Sequence, residues 1–528
     1  MRKHAHVLST ILWTFSRRGW PTLVLCLSAA LGLFASGSAG ENINSDASVL
    51  AQGDIWIRDV TLISLERDQP IPRAHVVVRN GRILSVGQES PRGADGNVTI
   101  VEGTGRFLIP GLIDGHVHLA GVPGMLPEHE AANPKIVEAY AAQLPRSYLY
   151  FGFTTVIDLN VVNRPAVDRI KRAELGPAVF DCDNALALAN GYPMVYLPKD
   201  VRFERYRNFL YDPRQAAAIP GRFRPQDHSP SAAVGRVANA GGVCVKAHYE
   251  SGFGELAGKL PVPTPDLMRE VRDASHRRKL PLLLHANSLA AHRFAADVGV
   301  DAVVHGLWNW GEADADRNSV PVNVQSVLDA ERKGGIGMMP TVRVIGGLAD
   351  LFKSDFLDDP QLARVLPGDL IRWYRTFEGH WFARDTAGSD NLSADRMRTI
   401  LLDVQGRGAR AAVQFTRDGG RLLFGSDTPS APTFANPPGY NGFLELQALE
   451  TAGIPARQLL RAATLENARF FNLSRDYGTI ELGKTANLLL LNANPLNTVA
   501  ALDSIETVVV NGRLISRQTL RAPQPDIP

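Results

Sequence analysis

The stretch LIPGLIDGHVHLAG, residues 108–121, places two histidines directly after an apolar run that is typical of a buried β-strand. Successive side chains of a strand point to opposite faces, so His116 and His118 lie on the same face, whereas on a helix they would diverge. Neutral imidazoles that converge from one strand end are common metal ligands. The stretch therefore predicts part of a metal site, whose other ligands must come from elsewhere in the chain.

The chain begins with a segment that is typical of an exported protein. Residues 1–39 contain Arg2, Lys3, Arg17 and Arg18, no acidic residue, and then the apolar stretch PTLVLCLSAALGLFAS. This pattern predicts a signal peptide at residues 1–39, cleaved after Ala39, and a periplasmic or secreted protein. Two arginines before the apolar run leave both the Sec and the twin-arginine routes open. The run is short for a bilayer span, so we expect no stable membrane association after cleavage.

The composition is that of a soluble globular protein, with 528 residues, 45% hydrophobic and 21% charged. The formal net charge of +2 moves close to neutral once the predicted signal peptide is removed, so nothing indicates a nucleic-acid partner. A small-molecule substrate is expected, and a homo-oligomer is left open. Cys182 and Cys244, which remain after cleavage, fall in predicted strands, where we expect buried free thiols.

Two distant segments predict one small β domain. VVVRNGRILSVG (76–87) and VVVNGRLIS (508–516) both place Asn-Gly between two apolar runs, which is the strongest short hairpin signal. The simplest architecture is a small β-sandwich domain built from both ends of the mature chain, residues 48–109 and 473–520.

The intervening residues 110–472 alternate apolar strand-like runs with helical patterns. Eight alternations over this length predict an α/β fold, a TIM (β/α)8 barrel, rather than an open sheet. The segment 341–420 is too long for a simple connection, so we expect extra helices over the barrel mouth. The eight runs are GLIDGHVHL, TTVIDLN, AVFDCD, VCVKAHY, LPLLLHAN, DAVVHGLW, IGMMPTV and RLLFGSD.

Six polar residues follow these apolar runs, each at a predicted strand end. The active site of a TIM barrel lies at the carboxyl ends of its strands, so these residues share one rim. Four histidines and a carboxylate at one rim predict metal-ligand chemistry. A lysine ammonium carries donors only and cannot ligate a metal as it stands. The six are His116, His118, Lys246, His285, His305 and Asp427.

Together these motifs resemble the amidohydrolase superfamily over essentially the whole mature chain, with most similarity to imidazolonepropionase-like members and the Xaa-Pro dipeptidases of that group. The matching pieces are PGLIDGHVHL, GFTTVIDLN, VKAHY, LLLHAN, VVHG, FGSDTP and ELGKTANLLLLNANPL.

The resemblance implies a binuclear site with two divalent ions. In such relatives the lysine of the fourth strand reacts with carbon dioxide, and its carbamate bridges the ions; that lysine corresponds to Lys246. Carried over, His116, His118 and Asp427 hold one ion, and His285 and His305 hold the other. Histidine-rich sites suit zinc, with manganese or iron as alternatives.

The resemblance also implies hydrolysis of an amide-type C–N bond in a dipeptide, an N-acyl amino acid or a cyclic amide. A metal-activated hydroxide attacks the carbonyl, and Asp427 moves the proton to the leaving amine. Tyr249, three residues past Lys246, is a candidate donor to the oxyanion, or else a packing aromatic.

Two alternatives remain, and two positions depart from the family pattern. One alternative is a mononuclear cyclic amidohydrolase or deaminase that uses His116, His118, His285 and Asp427; the other is a metal-free binding protein on the same fold. Asn287 stands where many relatives have a second histidine, and Asn487 stands where an aspartate is usual. The first departure concerns substrate contacts and the second the β domain.

Overall fold

The computed structural model contains two regions, a sheet built from both chain ends and a set of parallel strands with surrounding helices. The predicted signal peptide lies outside the described residues. These are 49–51, 54–90, 98–253, 256–311, 319–388, 392–430 and 432–524.

Strands are numbered in chain order. They are β1 (Val49–Ala51), β2 (Asp54–Leu62), β3 (Ile71–Arg79), β4 (Arg82–Gly87), β5 (Val98–Glu102), β6 (Phe107–Pro110), β7 (Leu112–Val117), β8 (Phe153–Asp158), β9 (Ala178–Asp181), β10 (Val245–His248), β11 (Leu282–His285), β12 (Ala302–Val304), β13 (Gly337–Met339), β14 (Leu488–Leu491), β15 (Ile505–Val510) and β16 (Arg513–Ser516).

Nine strands from the two chain ends form one sheet, in the order β1-β16-β15-β14-β6-β2-β3-β4, with β5 paired to β2. The N-terminal and C-terminal strands contact each other directly in this sheet, because β14 pairs antiparallel with β6. Both predicted hairpins are confirmed. Asn80-Gly81 and Asn511-Gly512 connect β3 to β4 and β15 to β16, and all four residues have positive φ, as a two-residue primed turn requires. Buried aliphatic side chains of these strands form a hydrophobic cluster of their own.

Seven of the eight predicted barrel runs contain a described strand, and all pairings among these strands are parallel. They form the groups β7-β8-β9 and β10-β11-β12-β13. Isolated parallel bridges join Leu186 to Ala247 of β10, and Leu422 to Met338 of β13. Strands that alternate with helices in this way give a TIM-barrel-like α/β fold.

The eighth run, residues 421–427, is held by its neighbours without forming a regular strand. Leu423 N donates to Met338 O at 2.8 Å, and Asp427 N donates to His116 O at 2.7 Å, so the segment lies between β13 and β7. Asp427 has φ 53°, so the backbone leaves the extended conformation at the end of this segment.

Helices follow the strands, and five of them occupy the segment 341–420. Tyr374 Oη donates to Pro123 O at 2.6 Å and Trp381 Nε1 donates to Gly124 O at 2.8 Å, so this segment packs on the loop that follows β7. In the described part of the chain no helix is long and apolar enough to cross a membrane. The helices are α1 (Pro127–Ala132), α2 (Pro134–Tyr150), α3 (Arg164–Lys171), α4 (Arg202–Arg205), α5 (Pro230–Asn239), α6 (Pro265–Arg277), α7 (Leu289–Val298), α8 (Val322–Lys333), α9 (Arg343–Asp350), α10 (Leu362–Val365), α11 (Gly368–Tyr374), α12 (Trp381–Gly388), α13 (Ala394–Arg417), α14 (Tyr440–Ala452), α15 (Ala456–Arg461) and α16 (Asn467–Phe470).

Cys182 and Cys244 form a disulfide, so the expectation of two free thiols was wrong. Cys182 follows β9 and Cys244 precedes β10, and Val243 N donates to Asp181 O at 2.9 Å between the two strands. The cysteine Cα atoms are therefore only 4.8 Å apart, a distance that a disulfide spans. The cysteines are 62 positions apart in sequence, so no local pattern indicates the pairing.

Candidate metal centre

Two histidines of β7 and its following residue meet the carboxylate of the eighth segment. Asp427 Oδ1 lies 3.0 Å from His116 Nε2 and 2.9 Å from His118 Nε2. One ligand atom from each of the three residues lies within 4.8 Å of the others, so the three could hold a metal ion together. His116 is buried, whereas 28% of the side chain of His118 is exposed to solvent.

Glycines allow β7 and the eighth segment to approach closely enough for this contact. A Cβ on Gly115 would lie 2.7 Å from Phe424 O, and a Cβ on Gly425 would lie 2.6 Å from His116 Cβ. Such distances are shorter than real contacts allow, so a larger residue at either position would push the two segments apart. The glycines of DGHVH and FGSD therefore bring His116 and Asp427 together.

His285 and His305 form the second part of the cluster. Both stand at the ends of neighbouring strands, and His285 Nδ1 lies 2.8 Å from His305 Nε2. The other ring nitrogen of His305, Nδ1, lies 2.8 Å from Thr341 Oγ1 and 3.6 Å from Asp427 Oδ2. Asp427 therefore lies between the two histidine pairs.

Burial keeps most of the ring nitrogens neutral. It lowers the pKa of His285 to about 3, with the positive charge of Lys246 as the next cause. Burial and then Lys246 also hold the pKa of His116 well below its usual range. His118 differs: burial lowers its pKa, but the hydrogen bond to Asp427 and the negative charges of Asp427 and Asp158 together outweigh burial and raise the pKa. Neutral imidazoles offer a lone pair, which is the form that ligates a metal.

Lys246 is buried among these rings. Burial lowers its pKa to about 7, and the carboxylate of Asp427 opposes the shift. Among the described residues no carboxylate lies within ion-pair distance of its ammonium group. A buried lysine without a close counter-ion is costly as a cation, so the neutral amine is stabilised here.

All six predicted ligands line one cavity of about 200 Å³. Most of the remaining wall was not predicted, although Asn160 is recognisable as the polar residue just beyond β8. Tyr192 lies in a loop that no strand pattern marks, and its ring centroid is 4.8 Å from that of His285. The other lining residues are Ala120, Asn160, Val162, Tyr192, Pro193, Tyr206, His248 and Ser430.

Asp158 is a further carboxylate beside the cluster that the motif analysis did not single out. Its Oδ1 lies 3.9 Å from His118 Nδ1, and its oxygens accept hydrogen bonds from Leu119 N and Asn160 N. It stands at the end of β8, next to β7 in the sheet. The run TTVIDLN contains this signal, since a polar residue ends an otherwise apolar strand.

Tyr249 does not line this cavity. Its ring packs on Phe294 of α7, with centroids 4.4 Å apart, because Tyr249 follows β10 one residue after His248 and faces the opposite side. The packing role that the sequence left open therefore describes Tyr249, and this geometry gives no support to an oxyanion role. Tyr192 and Tyr206 are the tyrosines in the cavity wall.

The donor set fits a divalent ion. Imidazole nitrogens and a carboxylate oxygen converge within 4.8 Å, and these are the ligand types that zinc, manganese and iron accept. Asp427 would bind one ion together with His116 and His118. His285 and His305 offer two further imidazole nitrogens beside this group.

Comparisons with known proteins agree with this picture. The model of the amidohydrolase family matches residues 396–515. An adenine deaminase of Ruegeria pomeroyi is 35% identical over 79 residues, 15% of this chain and 13% of that enzyme. A dihydroorotase of Bacillus caldolyticus is 29% identical over 120 residues, 23% of this chain and 24% of that enzyme. The matched segments thus span less than a quarter of the length of these curated relatives.

The fold extends the similarity to most of the chain. A crystal structure of a Xaa-Pro dipeptidase with bound methionine superposes with a TM-score of 0.61 at 19% identity, over 88% of this chain and 100% of that one. At this identity the superposition supports the fold alone. The C-terminal region of the chain thus matches the amidohydrolase family, and most of the chain shares the fold of the dipeptidase structure.

Proposed function

We propose that the protein is an exported, metal-dependent amidohydrolase that cleaves an amide-type C–N bond on a closed (β/α)8 barrel. Its substrate is a small molecule such as a dipeptide, an N-acyl amino acid or a cyclic amide. The observation that carries the proposal is the convergence of four histidines, Lys246 and Asp427 on one cavity.

Asp427 is the residue best placed to move protons. A carboxylate with Oδ1 within 3.0 Å of two imidazole nitrogens, and with Oδ2 3.6 Å from His305, is oriented by several neighbours at once. It can accept a proton from an attacking water and deliver it to the leaving nitrogen. Divalent ions in the site supply Lewis acidity, which lowers the pKa of that water and polarises the carbonyl.

We infer that the site would hold two ions, with Lys246 converted to a carbamate that would supply ligands to them. As a cation, Lys246 would repel both ions across the cavity. Reaction with carbon dioxide replaces the positive charge with a negative one and adds two oxygen ligands. Zinc is the ion that this histidine-rich set suits best.

The disulfide supports export. Buried disulfides persist in oxidising compartments and are rare in a reducing cytosol. A periplasmic or secreted location agrees with the Cys182–Cys244 bond and with the basic and apolar pattern of residues 1–39.

A mononuclear deaminase or cyclic amidohydrolase is the second candidate. Two observations favour it: His116, His118 and Asp427 are the residues that meet as a three-ligand group in the described chain, and the curated relatives include adenine deaminase and dihydroorotase. In this alternative His285 completes the ligand set of a single ion.

The test combines elemental analysis with a hydrolysis screen. The purified protein is expected to carry two divalent ions per chain and to release an amine from dipeptides ending in proline or a cationic residue, or from N-acyl amino acids. Adenine and dihydroorotate test the second candidate, which requires one ion and release of ammonia or opening of a cyclic amide. A protein without bound metal and without turnover in either set would contradict both and leave a binding protein.

A further inference from the structure

The two ring nitrogens of His285 face different neighbours. Nδ1 points to His305 Nε2 at 2.8 Å, on the cavity side. Nε2 points away, toward Glu250 Oε2 at 3.7 Å and Asn287 Nδ2 at 3.5 Å. A neutral imidazole carries one proton, so the partner at the outer nitrogen decides whether the inner nitrogen can ligate.

Glu250 is a buried carboxylate that donors on two loops hold in place. It follows β10, and its Oε1 accepts a hydrogen bond from Gly252 N at 2.8 Å. Its Oε2 accepts from the Asn287 amide at 3.0 Å, in the loop after β11. Within the described residues no arginine or lysine forms an ion pair with it. The carboxyl group is therefore held by neutral donors, with Oε2 on the side of His285, and burial raises its pKa to about 7.

Glu250 is the acceptor that faces His285 Nε2. The Asn287 amide nitrogen makes its shorter contact, 3.0 Å, with Glu250 Oε2 and lies 3.5 Å from His285 Nε2, so it anchors the carboxyl group beside that ring nitrogen. A proton on Nε2 points toward the carboxylate oxygen, whereas a proton on Nδ1 would point at His305. The favoured tautomer leaves the Nδ1 lone pair facing the cavity.

We propose that Glu250, held by Asn287, is the positioning residue that fixes His285 as a metal ligand. Carboxylates that accept the outer proton of a ligating histidine orient the ring and raise its affinity for metal. This assignment also gives Asn287 a role, because its amide is needed to anchor the glutamate. The inference rests on the proposed metal-dependent function.

The test measures zinc affinity by chelator competition and ion number by elemental analysis. His285→Ala first identifies the ion that depends on this ring. Glu250→Gln replaces the acceptor by an amide, and we expect it to weaken the same ion by about 10–100-fold while leaving any ion held by His116, His118 and Asp427 in place. Asn287→Ala should produce a smaller loss in the same direction. Glu250→Asp keeps the charge and should restore part of the affinity.

Glu331→Gln is the matched control. Glu331 Oε1 lies 2.8 Å from His292 Nδ1 in a second, fully buried His–Glu pair whose histidine does not line the cavity. This variant should unfold at a lower temperature yet bind zinc with wild-type affinity, which separates general destabilisation from ligand positioning.

The visible spectrum of the cobalt-loaded protein gives a second readout, since a changed ligand geometry alters its bands. Wild-type zinc affinity in Glu250→Gln, with an unchanged cobalt spectrum, would overturn the positioning role while leaving the metal-dependent function intact. If Glu250→Gln does not fold, wild-type zinc affinity in Asn287→Ala would likewise overturn the positioning role of Glu250. A wild-type protein that binds no zinc would instead contradict the proposed function itself.

Discussion

Removing the Cys182–Cys244 disulfide should cost stability by an amount that its loop length sets. The bond closes a loop of 62 residues. In the chain-entropy treatment such a loop reduces the entropy of the unfolded chain by about 14 cal/mol/K, which is about 4 kcal/mol at 25 °C. Both cysteines are fully buried, so alanine is preferable to serine, whose hydroxyl would need a buried partner.

The assay compares the free energy of unfolding, from urea titrations under non-reducing conditions, of Cys182→Ala, Cys244→Ala and the double variant. Loss of either cysteine breaks the bond and removes the whole constraint on the loop. Each single variant and the double variant should therefore lose about the same free energy, up to about 4 kcal/mol. Reduced wild-type protein provides an independent reference, because it has lost the bond without a substitution.

Two free thiols would give a different pattern. The losses of the single variants would then be small and would add in the double variant, because each removes only the contacts of one side chain. Unfolded, unreduced protein lacking the signal peptide would also react with two equivalents of a thiol reagent. Either result would refute the bond, and with it the structural support for an oxidising compartment.

Three further predictions concern export and chemistry. Protein from the native host should begin near Gly40 and fractionate outside the cytoplasm, and an intact Met1 on cytoplasmic protein would contradict export. Asp427→Asn should lower turnover by about 10²–10⁴-fold while much of the metal stays bound, because an amide cannot accept and return the proton; near-normal turnover would remove Asp427 from the mechanism. Lys246→Ala should reduce the bound ions from two toward one, and short carboxylic acids should partly restore both metal and activity. Two ions and full rate in Lys246→Ala would favour the mononuclear alternative.

Local patterns were enough to predict the two hairpins and the strands that carry the histidines. Asn80-Gly81 and Asn511-Gly512 specify their turns because both positions need a positive φ. The convergence of His116 and His118 could be predicted for a similar local reason, since side chains two residues apart on a strand share a face. In each case the information lies within a few residues, which is why the sequence contains it.

Features that depend on contacts between distant segments could not be predicted in this way. Tyr192 reaches the cavity through a loop whose path no periodicity describes, and Cys182 meets Cys244 only when β9 and β10 lie side by side. Tyr249 is a different case, because both an oxyanion role and a packing role were left open. Its position after Lys246 suggested the cavity, yet alternation along β10 turns it toward Phe294, so a count of strand positions would have been enough.

The backbone at the rim explains why buried carboxyl groups surround the site without lining it. His305 and Asp427 have φ values of 86° and 53°, a left-handed conformation that costs a non-glycine residue on the order of 1–3 kcal/mol. Asp114 stabilises the segment beside Asp427, because its oxygens accept from Ser426 N at 2.9 Å and Ser426 Oγ at 2.6 Å.

Glu445 has the corresponding role beside His305. It accepts from Val342 N at 2.9 Å and Arg343 N at 2.7 Å, directly after Thr341, whose hydroxyl contacts His305 and whose φ is also positive. Burial raises the pKa of Asp114 to about 7 and of Glu445 to about 8. Burying these ionised carboxylates costs free energy. Their hydrogen bonds in return hold a strained backbone in place. The geometry of the site thus depends on the residues behind it as much as on the six that face the cavity.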